Sequence, residues 1–185
     1  MNKVILASAS PRRRELLKCI FNEFEVIPAD VDETVSGDIP ALLRPEHIAA
    51  KKAAAVAKNF PDALVIGSDT AVFIGDKMLG KPKNRADARD MLLALSGRVH
   101  KVVTGCSICL NGRSESFSAV TEVEFYELSD EELESYLDTD DWTDKAGAYG
   151  IQSKAVLLVK GINGDYNNVV GLPCAELNRR LKKFI

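Results

Sequence analysis

The stretch KVVTGCSICLNGRSESFSAVTEVEFY, residues 101–126, decides the fold class of this chain. Two runs of alternating residues, 101–110 and 116–126, flank Asn111-Gly112, and this pattern predicts a β-hairpin with a two-residue turn. A turn this short joins antiparallel strands. Because strand and helix patterns alternate along the rest of the chain, we predict a mixed α/β fold of α+β type. A long mixed sheet with flanking helices is favoured over a doubly wound parallel sheet.

Outward from the hairpin, apolar periodicity and capping signals predict the remaining elements. The predicted strands are 3–7, 24–28, 63–68 and 155–160. The predicted helices begin at Pro11, Pro45, Asn84, Asp130 and Cys174. Ser10 is the expected N-cap of the first helix, and the sequence from Ser129 to Glu132 is a capping box. Gly75-Asp76 predicts a second hairpin turn.

Length and composition favour one soluble, cytosolic domain over residues 1–185. The net charge of −3 and the pI near 5.5 argue against broad nucleic-acid binding. Apolar runs such as Val156–Val159 are far shorter than the roughly 20 residues that span a bilayer, and the N-terminus lacks the apolar core of a signal peptide. We therefore expect neither a nucleic acid nor a membrane as partner.

The four cysteines are too few for a disulfide framework. Cys106 and Cys109 form a C-x-x-C, but in a strand, positions three apart point to opposite faces. We interpret them as core thiols rather than a redox or zinc pair. Neither His47 nor His100 belongs to a zinc-binding motif, and the chain has no P-loop and no G-x-G-x-x-G.

Arg12-Arg13-Arg14 occupies the first turn of a predicted helix, where the helix dipole disfavours cations. A bound phosphate would offset that cost, because free backbone N–H groups, the hydroxyls of Ser8 and Ser10 and the guanidinium groups would converge on one anion. The alternative is a solvated face on which the arginines pair with Glu15, Glu23 or Glu25.

Carboxylates occur in two informative places. Asp69, in Gly67-Ser68-Asp69-Thr70, comes at the predicted end of an apolar strand and is a candidate base or metal ligand, although a turn-capping Asp is the alternative. The loop Asp30-Val31-Asp32-Glu33 offers the oxygen ligands that Mg²⁺ prefers, although acidic loops are usually only solvated.

Lys52 on the alanine-rich helix and Lys81 in Gly80-Lys81-Pro82 could neutralise phosphate charge, or could be surface lysines. The small-residue loop 146–152 ends in Gln152, whose amide could pair with a base edge. An ordinary turn is the alternative for this loop.

Seven ordered motifs resemble the Maf family of nucleoside triphosphate pyrophosphatases over essentially the whole chain. They are SASPRR (8–13), VDE (31–33), Lys52-Ala53, GSDT (67–70), GKP (80–82), DKAGAYGIQ (144–152) and VGLP (170–173). The resemblance implies a fold similar to inosine triphosphate pyrophosphatase, with a cleft between two lobes of a long sheet. It also implies metal-dependent hydrolysis of a nucleotide to its monophosphate and pyrophosphate, with Mg²⁺ or Mn²⁺ as the cofactor. A homodimer is the expectation at the level of the family.

The resemblance also implies roles for the site residues. Arg12, Thr70 and Gln152 match the dTTP/UTP branch of the family rather than its 7-methyl-GTP branch, and would select the base. Asp69, Glu33 and Lys81 are the expected catalytic residues, with Glu33 and Asp69 also holding the metal. Ser8, Arg13 and Lys52 are expected to bind phosphate. Removal of modified pyrimidine nucleotides is one role that such an enzyme would serve.

A second hypothesis is a non-catalytic protein that binds a nucleotide and regulates cell division or septum formation. The presence of both Asp69 and Glu33 favours catalysis, because a pure binder has no evident use for two carboxylates facing a polyanion.

Overall fold

The computed structural model describes residues 3–35 and 37–185, and in this part of the chain seven strands form one mixed sheet. The strands are β1 (Val4–Ala7), β2 (Glu25–Val26), β3 (Leu64–Ile74), β4 (Lys77–Leu79), β5 (Val99–Leu110), β6 (Arg113–Phe125) and β7 (Val159–Asn163). The helices are α1 (Pro11–Leu17), α2 (Arg44–Ala57), α3 (Arg85–Leu95), α4 (Asp130–Leu137), α5 (Tyr166–Val170) and α6 (Cys174–Leu181). Short 3₁₀ helices occupy Ala41–Leu43, Ala146–Ala148 and Lys154–Leu157. The predicted mixed sheet with flanking helices is confirmed.

The N-terminal strands form the parallel part of the sheet. β1 lies between β2 and β3 and pairs with both in parallel, with Ile5 opposite Glu25 on one side and Val65 on the other. Parallel neighbours need long crossover connections, and these contain α1 and α2. The last residue pair between β1 and β3 is Ala7 with Gly67. β3 therefore continues beyond the end of β1, and Asp69 lies in this continuation.

The remaining strands follow the order β3-β5-β6-β7, with β4 pairing on β3. Asn111 and Gly112 both have positive φ, at 50° and 76°, as a type I′ turn between β5 and β6 requires. The pairs β3-β4 and β6-β7 are antiparallel. Gly75-Asp76 joins β3 to β4, so both predicted hairpin turns are confirmed.

Predicted helix caps are also present. The Ser10 hydroxyl accepts a hydrogen bond from the Arg13 N–H at the start of α1. At the start of α4, Ser129 and Glu132 form a complete capping box, in which each side chain accepts from the other's backbone N–H. These caps involve residues three apart, so the local sequence suffices to specify them.

Three sequence predictions are wrong. β3 extends to Ile74 instead of ending near Ser68, because pairing with β4 supports its second half. The strand predicted at 155–160 is a 3₁₀ helix followed by β7. Ala155 and Leu158 are buried while Val156 and Leu157 are exposed, and this spacing of three is helical. The Gly- and Asn-rich segment between residue 160 and Cys174 is predicted as a turn region from its composition, but it contains α5, at whose start Asp165 accepts from the Asn167 N–H.

The chain divides into two compact units. The first contains the described residues up to Thr70, with Thr104–Ala119 and Gly171–Ile185, and the second contains Ala71–Val103 and Val120–Val170. A single functional domain over residues 1–185 stays a prediction. In neither unit does the described structure contain a helix that is long and apolar enough to cross a membrane.

The first unit buries apolar residues on both faces of its sheet. Consecutive residues of β1 belong to different core clusters, with Leu6 in one and Ile5 in the other. The two cysteines of the C-x-x-C follow the same alternation, because Cys106 belongs to the first cluster and Cys109 to the second. Burial raises the pKa of the Cys106 thiol to about 12. Both cysteines are free, as predicted, and Cys106 is a protonated core side chain.

Candidate active site

The clearest cluster of charges in the first unit is centred on the ammonium group of Lys52. Its Nζ lies 2.7 Å from Glu33 Oε1 and 2.8 Å from Asp69 Oδ1. Lys52 is buried, Asp69 is largely buried and Glu33 is exposed. One cation therefore joins two carboxylates that are 36 residues apart in the sequence.

Close packing of α2 on the sheet positions Lys52. A Cβ atom at Gly67 of β3 would overlap the carbonyl oxygen of Ala49, and one at Gly105 of β5 would overlap the backbone of Glu46. The helix can approach so closely only because both strand residues are glycines. Lys52 follows Ala49 by three residues and so lies on the same face of α2, above Asp69.

The acidic loop contributes only one of its carboxylates to this cluster. Asp32 Oδ1 accepts a hydrogen bond from the Thr34 N–H, which stabilises the loop itself. Lys51 Nζ donates to the carbonyl oxygens of Asp32 and Thr34 and so ties the loop to α2. Glu33 is left to pair with Lys52.

The environment of Asp69 is that of a partly desolvated base. Burial raises the pKa of this carboxyl group above its usual value, while Lys52 and Arg13 oppose the rise. A carboxylate whose proton affinity is raised in this way is better suited to accept a proton from a nucleophile than a fully solvated one.

The guanidinium group of Arg13 is held by three neutral oxygen atoms. Nε donates to the Gly171 carbonyl at 2.9 Å, Nη1 to Ser8 Oγ at 3.0 Å and Nη2 to Thr70 Oγ1 at 2.9 Å. These bonds exclude the alternative in which Arg13 pairs with a nearby glutamate; Glu15 and Glu25 pair instead with Lys18 and Lys3.

Arg13 keeps part of its binding capacity. A guanidinium has five N–H groups, so two remain after the three bonds above. Burial lowers the pKa of Arg13, with Asp69 opposing the shift. An arginine remains charged despite such a shift. Arg13 is thus a fixed cation with two N–H donors beyond these three bonds.

Asp69 and Thr70 are neighbours on β3 and belong to different hydrogen-bond groups. Consecutive strand residues point to opposite faces. Asp69 accordingly bonds to Lys52 of α2, whereas Thr70 bonds to Arg13 of α1. The sequence placed Asp69 at a strand end; the structure places it inside β3, beyond the point where β1 stops.

Sequence reasoning missed three residues of this site. Gly171, with φ of 126°, presents a carbonyl that accepts from both Arg13 Nε and the Ser68 hydroxyl. Thr104 bonds to Thr70. The VGLP and GSDT motifs contained Gly171 and Ser68 without indicating their roles, and no local signal indicated Thr104, because its partner is distant in sequence.

Contacts join six of the predicted site residues in two groups, which are Arg13 with Ser8 and Thr70, and Lys52 with Glu33 and Asp69. The nine predicted site residues divide between the two units. Those in the first unit are Ser8, Arg12, Arg13, Glu33, Lys52, Asp69 and Thr70, and those in the second unit are Lys81 and Gln152. Both residues of the second unit are exposed. Their segments are tied together within that unit, because the Gly147 N–H donates to the Gly80 carbonyl at 3.0 Å.

Glu33 and Asp69 are the oxygen donors available for a divalent cation. In residues 3–35 and 37–185 no group of three or more His, Cys, Asp or Glu side chains could hold a metal by itself. Mg²⁺ commonly uses one or two protein carboxylates and completes its octahedron with water and substrate phosphates. The two carboxylates fit such an ion, and do not fit a closed structural metal site.

The second unit contains a buried histidine beside the small-residue loop. His100 Nε2 is 2.7 Å from the Tyr149 hydroxyl, and both rings pack edge to face with each other and with Phe125. Burial lowers the pKa of His100 to about 4. The imidazole is therefore neutral in the folded protein at neutral pH.

This histidine should make the protein sensitive to acid. Because folding depresses its pKa, His100 supports stability above pH 6.5, and that support is lost as the pH falls towards 4. The loss is worth about 3 kcal/mol at 1.36 kcal/mol per pKa unit. Urea unfolding at about pH 7 and about pH 4 should show a smaller fall in the free energy of unfolding for His100→Gln than for the parent. An equal fall in both proteins would contradict this prediction.

Solved structures with the same architecture identify the class of fold. The Staphylococcus aureus Ham1 protein matches with a TM-score of 0.50 and 22% identity, over 67% of this chain and 72% of that one. A HAM1 protein from Coxiella burnetii also has a TM-score of 0.50, at 16% identity, over 99% of this chain and 100% of its own. The chain thus has the mixed α/β fold of the Ham1 proteins.

Sequence comparison then defines the family. The family model described as Maf-like protein matches residues 3–184, and the chain belongs to this family. A protein of Bacillus anthracis named dTTP/UTP pyrophosphatase is 45% identical over 184 residues, covering 100% of this chain and 96% of the relative. A protein of the same name from Bacillus cereus strain ZK / E33L has the same identity and coverage.

Proposed function

We propose that this protein hydrolyses dTTP and UTP to the nucleoside monophosphate and pyrophosphate, in the cytosol. The observation that carries the proposal is the pairing of Asp69 and Glu33 with Lys52, together with an Arg13 that interacts electrostatically with Asp69 and keeps two further N–H donors. The relatives at 45% identity that are named dTTP/UTP pyrophosphatase support this choice of reaction.

In the proposed reaction, Asp69 orients or deprotonates the water that attacks the α-phosphorus. Its raised pKa suits it to accept that proton, and the charge of Lys52 limits the rise. The bond between the α-phosphorus and its bridging oxygen breaks, and pyrophosphate leaves. The phosphate chain is bound by Arg13, Lys52, Lys81 and the Ser8 hydroxyl. These groups also stabilise the negative charge that develops on the leaving pyrophosphate.

Glu33 and Asp69 would hold a divalent cation, Mg²⁺ or Mn²⁺. When bound, the cation neutralises phosphate charge and polarises the phosphoryl group. Lys52 already compensates the charge of both carboxylates, so they can remain close together without the metal.

Arg12, Thr70 and Gln152 are proposed to select the base. The Gln152 amide can accept from the pyrimidine N3–H and donate to the adjacent carbonyl oxygen.

The test is product analysis with purified protein and Mg²⁺ or Mn²⁺. We expect dTTP and UTP to give monophosphate and pyrophosphate in equal amounts, and orthophosphate only after a pyrophosphatase is added. Orthophosphate without that addition would indicate γ-phosphate hydrolysis and would overturn the proposal. A non-catalytic nucleotide regulator would bind dTTP and release no pyrophosphate.

Base preference is a separate expectation. Purine triphosphates should react more slowly, because a base lacking the right polar edge leaves polar groups of the site unpaired. Because Gln152 is exposed to water, the difference should be smaller than the roughly 10⁴-fold that a fully desolvated site reaches. Substituting Arg12, Thr70 and Gln152 together should lower kcat/KM for dTTP far more than the residual activity on purines. Equal proportional losses on all nucleotides would show that these residues serve the chemistry instead.

A further inference from the structure

Two threonine hydroxyls meet between β3 and β5, neighbouring strands of the sheet. Thr70 Oγ1 and Thr104 Oγ1 are 2.9 Å apart, and either can be the donor. Thr104 is fully buried, whereas Thr70 is half-buried. Arg13 Nη2 donates to the same Thr70 oxygen at 2.9 Å.

The bonds at Thr70 leave it one hydrogen-bonding position. A hydroxyl has one hydrogen and two acceptor lone pairs. Arg13 can only donate, so it occupies one lone pair of Thr70. If Thr70 donates to Thr104, its second lone pair remains and it offers an acceptor. If Thr104 donates to Thr70, the hydrogen of Thr70 remains and it offers a donor.

We propose that Thr104 is a specificity-determining residue, which sets whether Thr70 offers a donor or an acceptor to the bound nucleotide. The inference rests on the proposed function, in which Thr70 faces the base. Thr104 acts through Thr70 and is a positioning residue. Bases differ in the pattern of donors and acceptors on their edges. Fixing the direction of one hydroxyl therefore changes which base is bound well.

Burial of Thr104 is what makes it effective in this role. Arg13 and Thr104 hold the Thr70 hydroxyl from two sides. Water cannot readily replace the Thr104 hydroxyl at a fully buried position, so its loss leaves the Thr70 proton free to rotate. A valine has nearly the same shape as threonine and removes only the hydroxyl, whereas a serine keeps it.

The experiment compares kcat/KM for dTTP with kcat/KM for dGTP in the parent, Thr104→Val and Thr104→Ser. We expect Thr104→Val to change the dTTP/dGTP ratio by about five- to tenfold, the scale of one hydrogen bond. Thr104→Ser should retain the parental ratio. Ser107→Ala is the matched control, because Ser107 is a buried residue of β5 whose hydroxyl bonds to that of Ser116 at 3.0 Å. Its ratio should be unchanged.

A double-mutant cycle separates this role from a general loss of stability. In a Thr70→Val background, Thr104→Val should change the ratio no further, because the hydroxyl that it orients is absent. Where Thr104→Val does not melt cooperatively, Thr104→Ala replaces it with the same expectation. An unchanged ratio in an active Thr104→Val protein, or equal shifts in both backgrounds, would overturn the inference. Failure of the parent to release pyrophosphate from any nucleotide would overturn the proposed function as well.

Discussion

Replacing Asp69 with asparagine should lower the turnover of dTTP by at least about 10²-fold, the usual scale for loss of a general base. Asparagine has nearly the same shape and can still accept a hydrogen bond from Lys52, whose Nζ is 2.8 Å from Asp69 Oδ1. It cannot take a proton from water, and it is a weaker metal ligand. The loss should therefore appear in kcat, while the packing of α2 on β3 is retained.

The measurement is pyrophosphate release together with a thermal melt. Glu124→Gln is a suitable control, because Glu124 also pairs with a lysine at 2.8 Å, Lys160, but belongs to the second unit and to no predicted site. We expect the control to keep parental turnover. Turnover near the parental value in Asp69→Asn, with a normal melt, would remove Asp69 from the mechanism.

Removal of divalent cations should abolish activity completely. The proposed ligands, Glu33 and Asp69, are hard oxygen donors that would act on the triphosphate through a bound cation. EDTA should stop pyrophosphate release, and an excess of Mg²⁺ or Mn²⁺ should restore it. EDTA already saturated with Mg²⁺ serves as the control for effects of the chelator itself.

The same treatment should leave the fold unchanged. Lys52 compensates the two carboxylates without a metal, and within the described residues no group of three metal-binding side chains supports the fold. The thermal midpoint should therefore be the same with and without EDTA. Full activity in metal-free buffer would refute the proposed metal dependence. A large fall in the midpoint would instead assign the metal a structural role.

Much of this protein could be predicted from short stretches of its sequence. The Asn111-Gly112 turn, the Ser10 cap and the Ser129 capping box each depend on residues no more than three apart. Local backbone sterics and local hydrogen bonds specify such features, so their sequence patterns are reliable. The ordered motifs also predicted the family, which the match over residues 3–184 confirmed.

Local patterns predicted the wrong secondary structure where strand pairing or side-chain burial depends on residues distant in the sequence. The apolar segment near Val156 looks like a strand in the sequence, but burial of only Ala155 and Leu158 makes it helical. β3 extends past Thr70 because β4 pairs with its second half. Neither fact can be derived from the residues of the segment alone, because tertiary contacts override weak local propensities.

The sequence by itself determined most of the elements, the family and the residue types available for chemistry, because these follow from local patterns and motif order. Only the tertiary structure decided how those residues act together. It directs Arg13 away from nearby glutamates to Thr70 and Gly171, 57 and 158 residues away in the sequence. The physical reason is burial, because a desolvated guanidinium must take its acceptors from whatever the folded chain places beside it.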